Sequence, residues 1–202
     1  SYDSGSDNLK FAAYDNGMWS VETLGSDSGI TEIDLVVDSN GIPHIMHLSS
    51  TNTYPDYTTK EDGIWAESTL QVVTDNLSLS IDDSDSITFS RYHHVDAGPT
   101  SNHDFVSYSC SANCDTWSNW NQDNSVNQET SHFETVDGHQ VYIDGNHDGL
   151  YYRIDSAGSS YLVSREVSQS DTYMVTSIDT APDGTVGIAH TNDTTYKTYF
   201  SY

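Results

Sequence analysis

One hairpin pattern recurs along the whole chain, and it constrains the fold more than any other feature. In the stretch 33–47, which reads IDLVVDSNGIPHIMH, two runs rich in β-branched residues flank an Asp-Ser-Asn-Gly turn. Such a pattern is typical of a β-hairpin. Similar stretches follow at 77–93, 132–144 and 176–190, and the turn position moves from Gly41 to Ser86, Gly138 and Gly184. The sequence therefore predicts a structural repeat of about 45 residues.

A second kind of hairpin alternates with the first. Its first copy joins 9–14 to 18–24 through Asp-Asn-Gly, and its second copy joins 57–60 to 64–70 through Glu-Asp-Gly. Its later copies join 105–110 to 117–120 and 150–154 to 161–167. A large aromatic residue recurs on the return strand, where we expect it to pack in the core, with a platform for ligand binding as the alternative; these residues are Trp19, Trp65, Trp120 and Tyr161.

Two hairpins, or four strands, in about 45 residues are typical of one blade of a β-propeller. We therefore predict an all-β propeller of four-stranded antiparallel blades, with four blades or as a slice of a larger ring. It forms one domain, 1–202, with repeats at 9–48, 57–93, 105–144, 150–190 and a partial fifth at 196–202. Strands from the two ends of the chain could complete one blade together. This leaves 196–202 as an extra strand, which pairs within the chain or with another copy.

Composition excludes several classes of partner. Only 35% of the residues are apolar, and no apolar run reaches the length of about 18 residues needed to insert into a membrane. The net charge is -25, from 31 acidic against 6 basic residues. Nucleic-acid binding is excluded because phosphate contacts need clustered lysine and arginine. The charge fits a surface adapted to salty water, binding of divalent cations, or attraction of a cationic ligand.

Two cysteines, Cys110 and Cys114, lie close together in the sequence YSCSANCDTW. A disulfide between them would close a hairpin tip and would indicate an oxidising, extracellular compartment. The alternatives are free thiols or a metal site. A metal site would need further ligands, and His103 and His132 lack the usual spacing.

A polar loop near the third repeat is a candidate calcium site. Asp144, Asn146 and Asp148 match the first half of a D-x-N-x-D-G calcium loop, and Asp155 stands where the twelfth-position ligand would be. The same residues also make an ordinary polar turn, because Asp and Asn tolerate the left-handed conformation. The sequence leaves both interpretations open, with Ca²⁺ as the only cofactor it indicates.

The second strand of each repeat ends in a polar residue. These residues are His47, Tyr92 with His93, Asp144 and His190. Equivalent positions in a propeller form a ring around the axis, so these side chains could bind a ligand or metal, or protonate an acidic substrate. The alternative is that they are polar strand ends near solvent. No catalytic residue is assigned, because histidine, serine and aspartate are too frequent for a triad to be recognised.

Two of the turns resemble a known motif. AAYDNGMW and KEDGIW resemble the Asp-box, the turn between the third and fourth strands of sialidase-type propeller blades, and DSNGIPHI resembles tandem propeller repeats of secreted microbial proteins. The usual Asp-box has a Ser where Ala13 stands and two residues where Met18 stands alone. The resemblance implies a propeller fold and a secreted protein. It does not imply sialidase activity, because Arg91, Arg153 and Arg165 match no part of the three-arginine site of that family.

Aromatic rings beside Asp and Asn side chains are also suited to sugars, since rings stack on CH groups and carboxylates accept hydroxyl bonds. We therefore expect a secreted or cell-surface binding or structural module without enzymatic activity, which binds glycans or other copies of itself. The alternative is a carbohydrate-active enzyme, a polysaccharide lyase or glycoside hydrolase. An enzyme should gather titratable groups with shifted pKa values in one pocket. A binding module should carry shallow aromatic sites repeated from blade to blade.

Overall fold

The computed structural model confirms the all-β prediction. It describes residues 2–3, 8–26, 29–74, 76–95, 102–127, 130–136, 139–144, 149–154, 160–165, 176–192 and 197–202. Within these residues the regular structure is β-strand throughout, apart from one turn of 3₁₀ helix at Trp117–Asn119. The described part of the chain contains no helix with the length and apolarity needed to span a membrane.

The strands among the described residues form five antiparallel sheets in which spatial order follows chain order. Sheet 1 contains β1 (Tyr2–Asp3), β2 (Asn8–Asp15) and β3 (Met18–Ser26). Sheet 2 contains β4 (Ile30–Val37), β5 (Pro43–Ser49), β6 (Asn52–Glu61) and β7 (Ile64–Thr69). Sheet 3 contains β8 (Asn76–Ile81), β9 (Ile87–Val95), β10 (Asn102–Cys110) and β11 (Asn121–Asn127). Sheet 4 contains β12 (Thr130–Val136), β13 (His139–Asp144), β14 (Leu150–Ile154) and β15 (Ser160–Ser164), and sheet 5 contains β16 (Thr176–Thr180), β17 (Val186–Asn192) and β18 (Lys197–Ser201).

Sheets 2, 3 and 4 each contain four antiparallel strands in chain order. In the described residues the strands of the two chain ends do not complete one blade together, because sheets 1 and 5 are separate and three-stranded. The short strand β1, which the sequence analysis missed, pairs with β2. The predicted extra strand is β18, and it pairs with β17 of its own chain from Ile188 opposite Ser201 to Asn192 opposite Lys197.

The first turns of sheets 2, 3 and 5 have the same backbone hydrogen bonds. In sheet 2, the N–H of Asp38 donates to the carbonyl of Ile42, and the N–H of Gly41 donates back to Asp38. The residue whose N–H donates back across the turn has positive φ in all three sheets, and these residues are Gly41, Asp85 and Gly184. The predicted turn position of sheet 3, Ser86, is wrong by one residue, because Asp85 has the left-handed conformation. Gly138 lies outside the described residues.

The recurring aromatic residues do not share one environment, contrary to the sequence-based expectation of a common core position. Trp120 is buried, whereas Trp19 and Tyr161 are exposed. The predicted strand 117–120 is a 3₁₀ helix followed by Trp120, and β11 begins only at Asn121. The cysteine loop causes this shift because it adds residues between β10 and its return strand, and Trp120 then packs beneath the loop.

Sheets 2 to 5 meet along their first strands: β4 contacts β8, β8 contacts β12, and β12 contacts β16. At the first of these junctions, carboxylates on β4 accept the backbone hydrogen bonds of β8 that a neighbouring strand would otherwise accept. Glu32 accepts a hydrogen bond of 2.8 Å from the backbone N–H of Leu77, and Asp34 accepts one of 2.7 Å from that of Leu79. The apolar core lies between sheets 2 and 3 and, separately, between sheets 4 and 5.

Candidate functional site

A cleft of about 380 Å³ lies between sheets 2 and 3 and is mostly polar. Its walls are the β4–β5 turn, the end of β6, the β8–β9 turn and the loop between the two cysteines. The main polar groups of its lining are Asp38, Asn40, Glu61, Ser84, Asp85 and Asn113. A polar cleft at a junction between packed elements is a common position for ligand sites.

These groups meet because of the topology. In an up-and-down meander the first and third turns lie at the same end of a sheet, so the turns of sheets 2 and 3 converge at one end of the junction. Aspartates are favoured in such turns because their carboxylates accept backbone N–H bonds. Asp38 accepts from Asn40 at 2.9 Å and from Ile42 at 2.7 Å. Partial burial alone would raise the pKa of Asp38, but these hydrogen bonds outweigh it and lower the pKa.

The two turns are joined directly across the cleft. The carboxylate of Asp85 accepts the backbone N–H of Ser39 at 2.7 Å and the Ser39 hydroxyl at 2.5 Å. Asp85 has a left-handed backbone, with φ of 61°, at the tip of the β8–β9 turn. The bond fixes the distance between the sheets at the opening of the cleft.

A histidine–tyrosine pair forms the floor of the cleft. The Tyr57 hydroxyl and Nδ1 of His44 are 2.6 Å apart, and Nε2 of His44 is 3.9 Å from the Asp38 carboxylate. Burial lowers the pKa of His44, and the nearby charges of Asp38 and Glu61 only partly oppose this shift. Burial also raises the pKa of Tyr57 well above its usual range. The pair is therefore a neutral imidazole hydrogen-bonded to a neutral phenol at pH 7.

The predicted disulfide between Cys110 and Cys114 is present. Both sulfur-bearing residues are buried, and the loop they close forms one wall of the cleft. The indole Nε1 of Trp120 donates a 2.7 Å hydrogen bond to the carbonyl of Cys114. Trp120 in turn packs edge-on against Tyr57, with ring centroids 5.7 Å apart. The disulfide, the tryptophan and the tyrosine thus hold the cleft as one packed unit.

The histidine–tyrosine pair recurs in sheet 4. Nδ1 of His139 is 2.6 Å from the Tyr152 hydroxyl, and the two residues have the same separation of 13 as His44 and Tyr57. Beside this second pair lies an apolar cavity of about 400 Å³ between sheets 4 and 5, lined in part by Tyr152, Val163 and Ile188. The repetition indicates that the pair belongs to the framework of the repeat.

Two of the residues predicted at the strand ends are core residues. His47 on β5 and His190 on β17 are each 1% exposed. Nε2 of His47 is 3.9 Å from the Asp56 carboxylate, and the His190 ring stacks on Tyr199 with centroids 5.2 Å apart. Neither histidine lines the cleft described above.

The other predicted site residues are only partly within the described structure. Tyr92 and His93 lie on β9 and Asp144 ends β13, but their side chains are outside the described part. Asn146, Asp148 and Asp155 lie outside the described residues altogether, so the candidate calcium loop stays a prediction. Among the side chains that are described, no three from His, Cys, Asp and Glu lie close enough to hold a metal ion.

The cleft was not predicted from the sequence, although a signal was present. Asp38 and Glu61 stand in two predicted hairpin turns, which are the first and third turns of sheet 2, and Asp85 stands next to the predicted turn at Ser86. Turns of this kind lie at one end of the sheets, so their polar residues could have been grouped before the structure was known. What could not be seen was that the cysteine loop would close the cleft from the side.

No family model matches the sequence, and no curated protein matches it. The geometry of the cleft and the stacking of the sheets are therefore the basis for a functional assignment. The resemblance of the hairpin turns to the Asp-box stays a prediction.

Proposed function

We propose that the protein is a secreted or cell-surface β-propeller module that binds neutral or amino-bearing glycans in the acidic cleft without enzymatic activity. The observation that carries this proposal is the lining of the cleft. Carboxylates from Asp38, Glu61 and Asp85 stand beside the amides of Asn40 and Asn113, and the described lining includes no lysine or arginine. Carboxylate and amide groups of this kind exchange hydrogen bonds with sugar hydroxyls and attract ammonium groups.

Several features support a propeller architecture and an extracellular location. Successive four-stranded meanders that meet along their first strands are the arrangement expected of propeller blades. A disulfide that persists is typical of an oxidising compartment. A net charge of -25 keeps a secreted protein soluble and suits salty surroundings.

The charge of the cleft restricts the class of glycan. A bound uronate or sialic acid needs a cationic partner for its carboxylate, and arginine is the usual one. In the acidic cleft such a ligand would meet Asp38, Glu61 and Asp85 instead. Neutral sugars and sugars with a free amino group avoid this repulsion.

A carbohydrate-active enzyme on the same scaffold is the alternative. It is favoured by the convergence of His44, Tyr57 and Asp38, whose pKa values are all shifted, in one cleft. Two observations weigh against it. Tyr57 is 1% exposed and its pKa is raised, which opposes its use as a base. The same pair recurs as His139 and Tyr152, which favours a structural role.

Isothermal titration with three oligosaccharide classes tests the proposal: neutral oligosaccharides, chitosan oligosaccharides and uronate oligosaccharides. We expect binding of neutral or amino sugars and exclusion of uronates. Glu61→Gln and Asn113→Ala should each weaken binding by about five- to tenfold, the effect of losing one hydrogen bond. Glu67→Gln on β7 makes the same chemical change outside the cleft and should leave affinity unchanged.

Unchanged affinity in both cleft variants, or preferred binding of uronates, would overturn the binding proposal. Turnover is measured in the same samples as newly formed reducing ends. Release of reducing ends that is abolished by His44→Gln would establish the enzymatic alternative.

Strand addition at β18 is a proposed route of self-assembly. A neighbouring strand at the outer edge of β18 would satisfy further backbone groups, as in other cases of β-strand addition. Full strand exchange is more demanding, because β18 would first have to leave β17, with which it forms five residue pairs.

A further inference from the structure

Sheet 1 exposes an aromatic face. Tyr14 pairs with Trp19 across the β2–β3 hairpin, and Ala12 pairs with Val21 on the same side. The rings of Tyr14 and Trp19 are 5.3 Å apart, and the two residues are 62% and 70% exposed. We name these four residues the Trp19 face. Contiguous exposed apolar surface of this kind indicates an interaction site.

The same face in sheet 2 is covered. Lys60 and Trp65 pair on either side of an Asp-Gly turn as Tyr14 and Trp19 do on either side of an Asn-Gly turn. Sheet 1 packs on this face through Phe11, whose ring meets Trp65 edge-on at 5.2 Å. Glu22 on β3 accepts hydrogen bonds from Trp65 Nε1 at 2.9 Å and from Lys60 Nζ at 2.6 and 2.7 Å. A tryptophan of one sheet is thus covered by an aromatic residue of the preceding sheet.

The junction between sheets 2 and 3 repeats this arrangement. Tyr57 on β6 meets Trp120 of sheet 3 edge-on, with ring centroids 5.7 Å apart and planes at 81°. Tyr57 precedes Lys60 by the same interval that separates Phe11 from Tyr14, so Phe11 and Tyr57 hold equivalent positions. Two junctions of the chain therefore use the same pairing of aromatic residue and tryptophan.

Sheet 5 carries the aromatic residue of this pairing on an open face. Tyr57 lies opposite Met46, and Phe200 lies opposite Ala189. Met46 follows Gly41, and Ala189 follows Gly184, by the same number of residues, and both glycines have positive φ. Phe200 is therefore the counterpart of Tyr57. Phe200 is nevertheless 75% exposed. We name Ala189 and Phe200 the Phe200 face.

We propose that the Phe200 face of one molecule packs on the Trp19 face of a second copy of this chain. The interface would repeat, between molecules, the edge-on pairing that Phe11 makes with Trp65 and Tyr57 makes with Trp120. Because the two faces differ, the contact is head-to-tail and propagates into longer assemblies. It is a contact between sheet faces and requires no exchange of strands, and it does not depend on ligand binding in the cleft.

Sedimentation velocity in about 1 M NaCl, where the screening length is only about 3 Å, tests this interface without the repulsion between acidic molecules. We expect the average mass of the wild type to rise with concentration beyond that of a dimer. Trp19→Glu and Phe200→Lys should each weaken association by more than about tenfold, as expected for a central aromatic contact. Ile64→Glu introduces a charge at another exposed apolar residue and should leave association unchanged.

Mixing the two variants distinguishes this interface from nonspecific association. The Trp19→Glu molecule keeps its Phe200 face, and the Phe200→Lys molecule keeps its Trp19 face. An equimolar mixture should therefore form one-to-one dimers and nothing larger, which also shows that both variants are folded. A wild type that is monomeric at all concentrations, association that survives either substitution, or a mixture without dimers would overturn the proposal.

Discussion

The carboxylate of Asp34 on β4 accepts a 2.7 Å hydrogen bond from the backbone N–H of Leu79 on β8, in a different sheet. Glu32, two residues earlier, does the same for Leu77. Alternate acidic residues of β4 therefore accept hydrogen bonds from backbone N–H groups at the edge of sheet 3. Without them, an added strand could bind at this edge. Desolvation at this junction raises the pKa of Asp34 and outweighs the lowering effect of its hydrogen bonds from Leu79 and Leu35.

Replacing Asp34 with alanine should destabilise the fold by about 1–3 kcal/mol, because the Leu79 N–H would lose its partner in a partly buried position. Urea denaturation at pH 7 measures this change. Asp179→Ala is the matched control, since Asp179 accepts the same local bond from the following N–H but its own side chain is exposed. Equal losses in the two variants would contradict a special role for the junction.

Protonation of His44 should weaken the fold in mild acid. Burial lowers the pKa of His44 in the folded state below its ordinary value of 6.5, so the unfolded chain binds the proton more readily. Stability should therefore fall as the pH drops below 6.5 toward the lowered pKa. His44→Gln should flatten this part of the stability profile, measured by denaturant midpoints between pH 8 and pH 5.

His139→Gln serves as the comparison for the His44 experiment, because it removes the corresponding bond to Tyr152 and shows how much such a bond stabilises by itself. An unchanged slope in the His44 variant would mean that other groups cause the acid sensitivity.

Reduction of the Cys110–Cys114 disulfide should lower the free energy of unfolding by about 2 kcal/mol, the value expected for closing so short a loop. We expect the loss of order to be confined to the loop between the cysteines and to Trp120, because the Trp120 indole donates a hydrogen bond to the carbonyl of Cys114 in this loop. Tryptophan fluorescence and thermal melting with and without reductant measure the two effects. The Cys110→Ser/Cys114→Ser double variant should behave like the reduced protein under all conditions, and a difference between them would point to another effect of the reductant.

Salt should raise the melting temperature, because a net charge of -25 makes the folded molecule repel itself at low ionic strength. If the loop between Asp144 and Asp155 binds calcium, millimolar Ca²⁺ should add stabilisation beyond that of NaCl at matched ionic strength. Asp148→Ala should remove this excess and keep the NaCl effect. No excess with Ca²⁺ in the wild type would leave the loop as a polar turn.

The hairpins were predictable because their turns carry a strong local signal. Asn16 with Gly17 and Asp62 with Gly63 all have positive φ, as tight two-residue hairpin turns require. The error at Trp120 has a physical reason as well. A repeat pattern aligns residues by sequence interval, whereas the disulfide loop of sheet 3 uses additional residues and moves the tryptophan ahead of its strand.

The candidate site was less predictable than the fold. His47 and His190 were selected because they end apolar runs, but a middle strand is covered on both faces, and both side chains are buried there. The cleft depends on contacts between sheets, such as the bond from Ser39 to Asp85, which no local pattern encodes. The exposure of Trp19 likewise depends on which sheet faces are covered, although its sequence context is close to that of Trp65.

Each of the sheets that the structure describes is a meander whose strands pair with their neighbours along the chain. Pairing within each sheet therefore joins strands that are adjacent along the chain, and the entropy lost on closing the loops between them is small for an all-β protein. Folding should start in any one sheet and spread to the next across the first-strand junctions, as in other repeat proteins. We expect rapid refolding with several parallel routes, and a single substitution should slow only those routes that begin in its own sheet.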